Sequence, residues 1–278
     1  MDKLENWTQR SLLALHPGKC KVLRFKPKTK TPEVSNEYTV DTTTMEVVSN
    51  FDDLGISFKE DLSFHDHINK KIKKANSLAG MLRRSFTHLD RQNFKQLFTS
   101  IVRPHLEYGA AVWNPHLKGL INSIESVQRR ATKQLPLMSE ISYKDRLKFL
   151  KLPTLEYRRY RRDMIEAYKL SHEIYDKGTT DGFFNYCSAE MTEYKLRKHQ
   201  YEFCKEKWSK DVKRFSFKNR IADQWNNLPE NVVNAPTLNS FKNRLDKLWE
   251  EDDVMYDAEK DLHQITSLRR TRYRTIEE

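Results

Sequence analysis

Two carboxylates stand side by side at Asp52 and Asp53, in the run F-D-D-L-G-I. Adjacent carboxylates at a hairpin, joined by a third from another strand, can hold the two divalent ions that nucleotide polymerisation needs. Those ions activate the attacking 3′ oxygen and stabilise the leaving pyrophosphate. No separate strand of this chain carries an evident third partner. A turn or helix-cap role fits Asp52 and Asp53 better than a metal cage. His65 and His67 are spaced like ligands on a strand, yet no third ligand lies near them, so His67 reads as a packing or capping histidine. Cys20, Cys187 and Cys204 are odd in number and widely spaced, with no C-x-x-C or C-x-x-H pair. That spacing argues against zinc and for a reducing, intracellular setting. The sequence contains no Walker loop, G-x-S-x-G, H-E-x-x-H or G-x-G-x-x-G.

Basic side chains are better candidates. Lys70, Lys71, Lys73 and Lys74 follow the start of a predicted helix that Arg83 and Arg84 extend. Arg129, Arg130 and Lys133 flank a later apolar stripe. Arg158, Arg159, Arg161 and Arg162 crowd the first turns of a long helix, where Arg158, Arg162 and Lys169 fall opposite its tyrosines. Guanidinium groups suit phosphate because the planar fork can make two parallel hydrogen bonds. Any one of these residues could equally be ordinary solvated surface; the clusters carry the reading. Trp113 and Tyr108 sit beside apolar residues and read as core.

The charge is distributed accordingly. The chain has 278 residues and a formal net charge of +11, and residues 59–178 alone hold 24 basic against 13 acidic side chains. Residues 1–58 are neutral, and the last thirty are acidic on balance. A surplus confined to one folded segment is the footprint of a polyanion partner. Charged residues make up 32% of the chain and aromatics 11%, so the composition is polar without being that of a disordered chain. No apolar run approaches membrane-spanning length.

The elements that must position these residues are mostly helical. A helix over 3–15, a strand over 19–25 and β-biased runs over 37–43 and 46–58 make a small α/β piece. Apolar residues exposed on that piece would include Val22, Tyr38, Val40, Val47 and Ile56. From Ser63 the period changes to that of a helix. Ile68, Ile72, Ala75, Ala79, Leu82 and Phe86 form one stripe. Asp90 precedes a second helix that Arg103-Pro104 perturbs. Asn114-Pro115 opens a third, with Leu117, Leu120, Ile121, Ile124, Val127, Ala131 and Leu135 inward. Ser142-x-x-Asp145 caps a short helix, and Pro153-Thr154 opens a long one to about Tyr175. A linker is expected at 178–182, then helices over 221–225 and 240–249. A charged tail follows from 250, expected to be disordered or loosely helical.

Several ordered blocks resemble the jockey-like group of non-LTR retrotransposon reverse transcriptases. They include Val102-Arg103-Pro104-x-Leu106-Glu107-Tyr108, Val112-Trp113-x-Pro115 and Ile124-Glu125-x-Val127-Gln128-Arg129-Arg130-Ala131. Leu152-Pro153-x-Leu155 and Trp225-Asn226-x-Leu228-Pro229 extend the resemblance, which spans about residues 4–249. It implies the end of a palm, a thumb and a C-terminal helical extension of an RNA-directed DNA polymerase encoded by a transposable element. It also implies that the catalytic aspartates, and the Mg2+ they hold, belong upstream of Met1, leaving no cofactor for this chain.

The expected fold class is thus mainly α with a small α/β N-terminal piece, a helical thumb-like bundle and a helical C-terminal extension. The expected divisions are 1–60, 61–177, 183–249 and a tail from 250. The expected function is that of a catalytically incomplete reverse-transcriptase fragment. Its thumb-like region would bind RNA or RNA–DNA hybrid by the backbone, without sequence specificity. Its candidate contacts are Lys70, Lys74, Arg83, Arg84, Arg129, Arg130, Lys133, Arg158, Arg159, Arg161, Arg162 and Lys169. The alternative is a helical protein-interaction scaffold, self-associating or docking on the upstream polymerase segment, or an inert remnant of the element.

Overall fold

The computed structural model describes residues 6–8, 10–12, 15–25, 37–40, 43–86, 89–187, 199–250 and 254–259. The expected loop over 26–32 and the tail from 260 lie outside these, as do the first residues of the predicted N-terminal helix. The fold is mainly α with a small α/β piece at the N-terminus. It forms two compact units, residues 1–70 and 71–278.

Among the described residues, the first unit holds three two-stranded ladders. β1 (Lys21–Leu23) pairs in parallel with β4 (Glu46–Val48), β2 (Thr39–Val40) runs antiparallel to β3 (Thr43–Thr44), and β5 (Asn50–Asp53) forms a hairpin with β6 (Ile56–Lys59). The hairpin closes through Leu54 and Gly55, whose φ angles are 46° and 78°. Both central residues of a two-residue hairpin loop need positive φ for the turn to match the twist of the strands. Glycine adopts it freely and Leu54 does not. Val40 and Ile56 are buried, contrary to the expected apolar patch, while Tyr38 and Val47 are exposed. His67 is buried, and its Nδ1 accepts the Ser57 backbone N–H at 3.1 Å, as a packing histidine should. Trp7, expected on the inward face of the first helix, is exposed, and Thr8 is buried in its place.

α1 (His65–Ser85) starts in the first unit and continues into the second, burying Ile68, Ala75 and Leu82 along the predicted stripe. α2 (Arg91–Leu97) is capped by Asp90, whose carboxylate accepts the Asn93 N–H at 2.8 Å. A π turn over Phe98–Val102 follows, and α3 (Pro104–Glu107) begins at the proline. Proline lacks the N–H that a regular helix would use and crowds the preceding turn, so the ladder re-registers just before it. α4 (Ala110–Trp113) and α5 (Lys118–Lys133) come next. Pro115 precedes α5 rather than opening it, and Leu117 is exposed at its cap. Tyr108 is also exposed, contrary to its expected core position, whereas Trp113 is buried and donates its Nε1–H to the Tyr108 carbonyl at 2.7 Å.

α6 (Tyr143–Leu150) and α7 (Leu155–Ser171) carry the predicted caps: Ser142 accepts the Asp145 N–H and Thr154 the Tyr157 N–H. α7 stops at Ser171, short of Tyr175. A one-turn α8 (Lys177–Thr180) occupies the expected linker. α9 (Asp211–Arg214), α10 (Phe217–Asn226), α11 (Glu230–Val233) and α12 (Leu238–Glu250) complete the unit.

α7 is the organising helix of this unit. Tyr157, Met164, Ala167 and Tyr168 share one apolar core with Ile221, Trp225, Val233, Phe241, Leu245 and Trp249. α3, α4 and α5 also pack on α7. The helices on either side of 178–182 therefore share a core instead of forming separate bodies. The tail, too, begins as packed chain: Val254 is buried and the Met255 carbonyl accepts the Thr154 N–H at 2.9 Å.

Cys187 and Cys204 form a disulfide, with Cα atoms 5.2 Å apart. The segments are held in register by the Tyr186–Phe203 bridge and by Cys187 N–H on the Glu202 carbonyl. The odd number and wide spacing of the three cysteines predict no pairing, whereas the fold brings Cys187 and Cys204 together. Their spacing in sequence carried no sign of the pairing, because the bridge depends on where two non-adjacent segments meet.

Candidate nucleic-acid interface

The twelve candidate cations separate into those left at the surface and those engaged inside the fold. Lys70 is exposed within the first unit, 4.0 Å from Asp52 and 3.5 Å from the Ser57 hydroxyl. Asp52 and Asp53 are consecutive, exposed residues of β5, so their side chains leave opposite faces of the hairpin. That placement does not converge them on one ion.

In the second unit, Lys73, Lys74, Arg83 and Arg84 of α1 are exposed, as are Arg129, Arg130 and Lys133 of α5. The Arg130 guanidinium donates to the Asn76 side-chain oxygen at 3.1 Å and to the Ser126 hydroxyl at 3.3 Å. The first bond ties α5 directly to α1. On a 3.6-residue wheel, Lys73, Arg83 and Arg84 lie on the Asn76 side of α1, and Lys133 neighbours Arg130 on α5. The side of α1 that carries Lys73, Arg83 and Arg84 thus faces the Arg130 and Lys133 side of α5. Among the described residues, none of these seven forms an ion pair. Arg129 instead lies 4.9 Å over the Tyr143 ring.

A second concentration of positive charge surrounds Glu107, which is buried on α3. Arg158 grips both of its carboxylate oxygens, Arg162 reaches one at 3.4 Å and its backbone carbonyl at 2.7 Å, and Arg103 approaches at 3.5 Å. Three guanidinium groups thus meet one carboxylate. Burial, followed by the charges of Arg158 and Arg162, pushes the Arg103 pKa down. Burial and then Lys71 and Lys74 depress His105 on the same helix.

The remaining predicted arginines do other work. Arg159 is 1% exposed, so it is withdrawn from the outer surface where a polyanion would lie; its Nε donates to the Asn114 side-chain oxygen at 3.0 Å. Arg161 makes a two-pronged bond to Asp246 that clamps α12 to α7. Lys169 bonds to Tyr175 at 3.1 Å and to Glu166 at 3.5 Å. A wheel gives α7 one wet face, but neighbours cover it on several sides: Arg158, Arg159 and Arg161 are fasteners within the fold, while Arg162 holds Glu107 from an exposed position.

Sequence reasoning missed the groups that hold these fasteners. Asp163 is buried and accepts from Arg220 at 3.0 and 3.1 Å and from Asn114 at 3.1 Å. Arg146 is buried, donating to the Ile141 carbonyl at 2.7 Å and to Thr132 at 3.3 Å. Glu125 is buried, accepting from the Tyr143 hydroxyl and from the Leu155 N–H at 2.9 Å. Burial holds its carboxyl above the usual range, against the pull of the Tyr143 hydrogen bond. Polar residues at core-facing helix positions are the one local signal for such a network. No family model, curated protein or solved structure matches the chain.

Proposed function

We propose that this chain binds the phosphate backbone of RNA or RNA–DNA hybrid without reading sequence, as a thumb-like fragment of a reverse transcriptase would. The observation that carries the reading is the set of unpaired cations on α1 and α5, joined by the Arg130–Asn76 bond. Unpaired surface guanidinium and ammonium groups hold counterions that a polyanion can displace, and their release favours binding at low salt. The arginine surplus around Glu107 adds to the same field. The polymerase chemistry of the resembled family is assigned to no residue of this chain.

The test is fluorescence anisotropy with a labelled RNA–DNA hybrid across a salt series. Lys73, Lys74, Arg83, Arg84, Arg129, Arg130 and Lys133, each neutralising one phosphate, give a log–log slope of about −6 with the duplex coefficient. Replacing Arg83, Arg84, Arg129 and Lys133 by Gln should bring it to about −3, with equal losses on unrelated sequences. A slope near zero, or a variant that binds as tightly as the parent, refutes the reading.

A further inference from the structure

A cavity of about 1110 Å³ opens in the second unit among the Asn114–His116 segment, α5, α7, α9 and α10. It is large enough for a ligand of nucleotide size. Arg159 lines it, and its Nη1 and Nη2 meet no hydrogen-bond acceptor although both are buried. A guanidinium keeps its proton even under strong desolvation, so these donors remain donors. Burying them unmet costs more than an ordinary hydrogen bond returns.

The carboxylates around Arg159 do not relieve this. Burial lowers its pKa, and Glu125, Glu156, Asp163 and Glu107 oppose that shift. Glu125 accepts from Tyr143 and Leu155, Asp163 from Arg220 and Asn114, and Glu107 from Arg158 and Arg162. They sustain the charge without taking its protons. Asn114, which orients the guanidinium through Nε, lines the cavity too.

The other walls supply charge and rings. Of the lining cations, Arg220 is paired with Asp163 and Lys205 with Asp223. Lys118 and Arg214 are exposed and have no carboxylate partner among the described residues. His116 and Phe215 stack with ring centroids 3.8 Å apart, and Trp208, a further lining residue, is 44% exposed. An exposed indole and a stacked ring pair lining one cavity are apolar faces on which a planar ring can stack.

We propose that this cavity binds a phosphorylated, ring-bearing small molecule of mononucleotide size, with its phosphate on Arg159 and its ring on the aromatic wall. Lys118 and Arg214 draw the anion in. The site uses the Lys118 end of α5 and none of Arg129, Arg130, Lys133 or the α1 cations, so it stands whether or not those bind a polyanion.

Isothermal titration of the full chain tests it, with adenosine 5′-monophosphate as the probe. Saturable one-to-one binding is expected, at least ten-fold tighter than that of adenosine or of ribose 5-phosphate. Arg159→Gln should weaken it at least ten-fold. Because that variant removes a buried group, Lys118→Gln/Arg214→Gln, altered only at exposed positions, is measured beside it and should lose at least three-fold. A Trp208→Leu variant should lose affinity for the monophosphate and not for ribose 5-phosphate. No binding at 10 mM probe by the folded chain overturns the proposal. So does unchanged affinity in the Lys118/Arg214 variant, or equal affinity for adenosine and its monophosphate.

Discussion

Arg161 and Asp246 offer a direct test of whether the α7 arginines serve the fold or a ligand. Their bidentate contact spans α7 and α12, with side chains 25% and 39% exposed. The hydrogen bond to Asp246 leads the rise in the Arg161 pKa. Two unit charges about 4 Å apart in an effective dielectric of about 20 attract by about 4 kcal/mol. Partial exposure, desolvation and the fixing of a long side chain remove much of that, leaving a coupling of about 1–2 kcal/mol. Arg161→Gln, Asp246→Asn and the double variant form the cycle, read by urea denaturation through tryptophan fluorescence. In a unit of about 200 residues this coupling corresponds to about 3–6 °C in Tm. The same proteins are then titrated with the RNA–DNA hybrid. Arg161→Gln should keep its affinity within about two-fold, since the side chain it removes is already engaged. A coupling below about 0.3 kcal/mol together with a ten-fold loss of hybrid binding would show that Arg161 faces a polyanion and that its bond to Asp246 is incidental.

Other outcomes follow from particular contacts. Glu125 has a raised folded pKa, so the stability it contributes is fully present below about pH 4.5 and is lost as pH rises through the folded value. Glu125→Gln should therefore gain stability over the parent at pH 7, a gap that closes on acidification and is read by urea midpoints at both pH values. Leu54 is 81% exposed at a φ of 46°, so Leu54→Asn should stabilise the hairpin by about 1 kcal/mol by relieving left-handed strain, seen as slower amide exchange in β5 and β6. Thiol titration of the denatured, unreduced chain should count one free cysteine, Cys20. Reducing the Cys187–Cys204 bridge, which closes a separation of 17 residues, should lower stability by about 3 kcal/mol. Three titratable thiols in the purified chain would refute that pairing.

Local rules made much of the fold legible. The caps at Asp90, Ser142 and Thr154 were readable because each side chain satisfies an N–H only a few residues away. The stripe of α1 was readable because Ile68, Ala75 and Leu82 recur at the helical period. The mainly helical class and the small N-terminal α/β piece follow from the same periodicities. The packing or capping reading of His67 rests on the lack of a third ligand near His65 and His67.

Whether each basic residue is a tool or a fastener was decided by tertiary structure alone. Arg83 and Arg159 look alike in sequence, each beside another arginine on a helix. Arg83 stays in water on α1, while Arg159 lies at the centre of a helix that neighbours cover on several sides. A helical wheel assigns one dry face and one wet one, and that assumption fails for the central helix of a bundle. The partners Glu107, Asp163 and Asp246 stand 51, 57 and 85 residues from the arginines they hold. The capped helix starts, the α1 stripe and the positive charge of the middle of the chain were legible because they depend on neighbours along the chain. Which charges remain available to a partner, which cysteines meet and where a cavity opens depend on contacts between distant segments, and only the assembled fold fixes those.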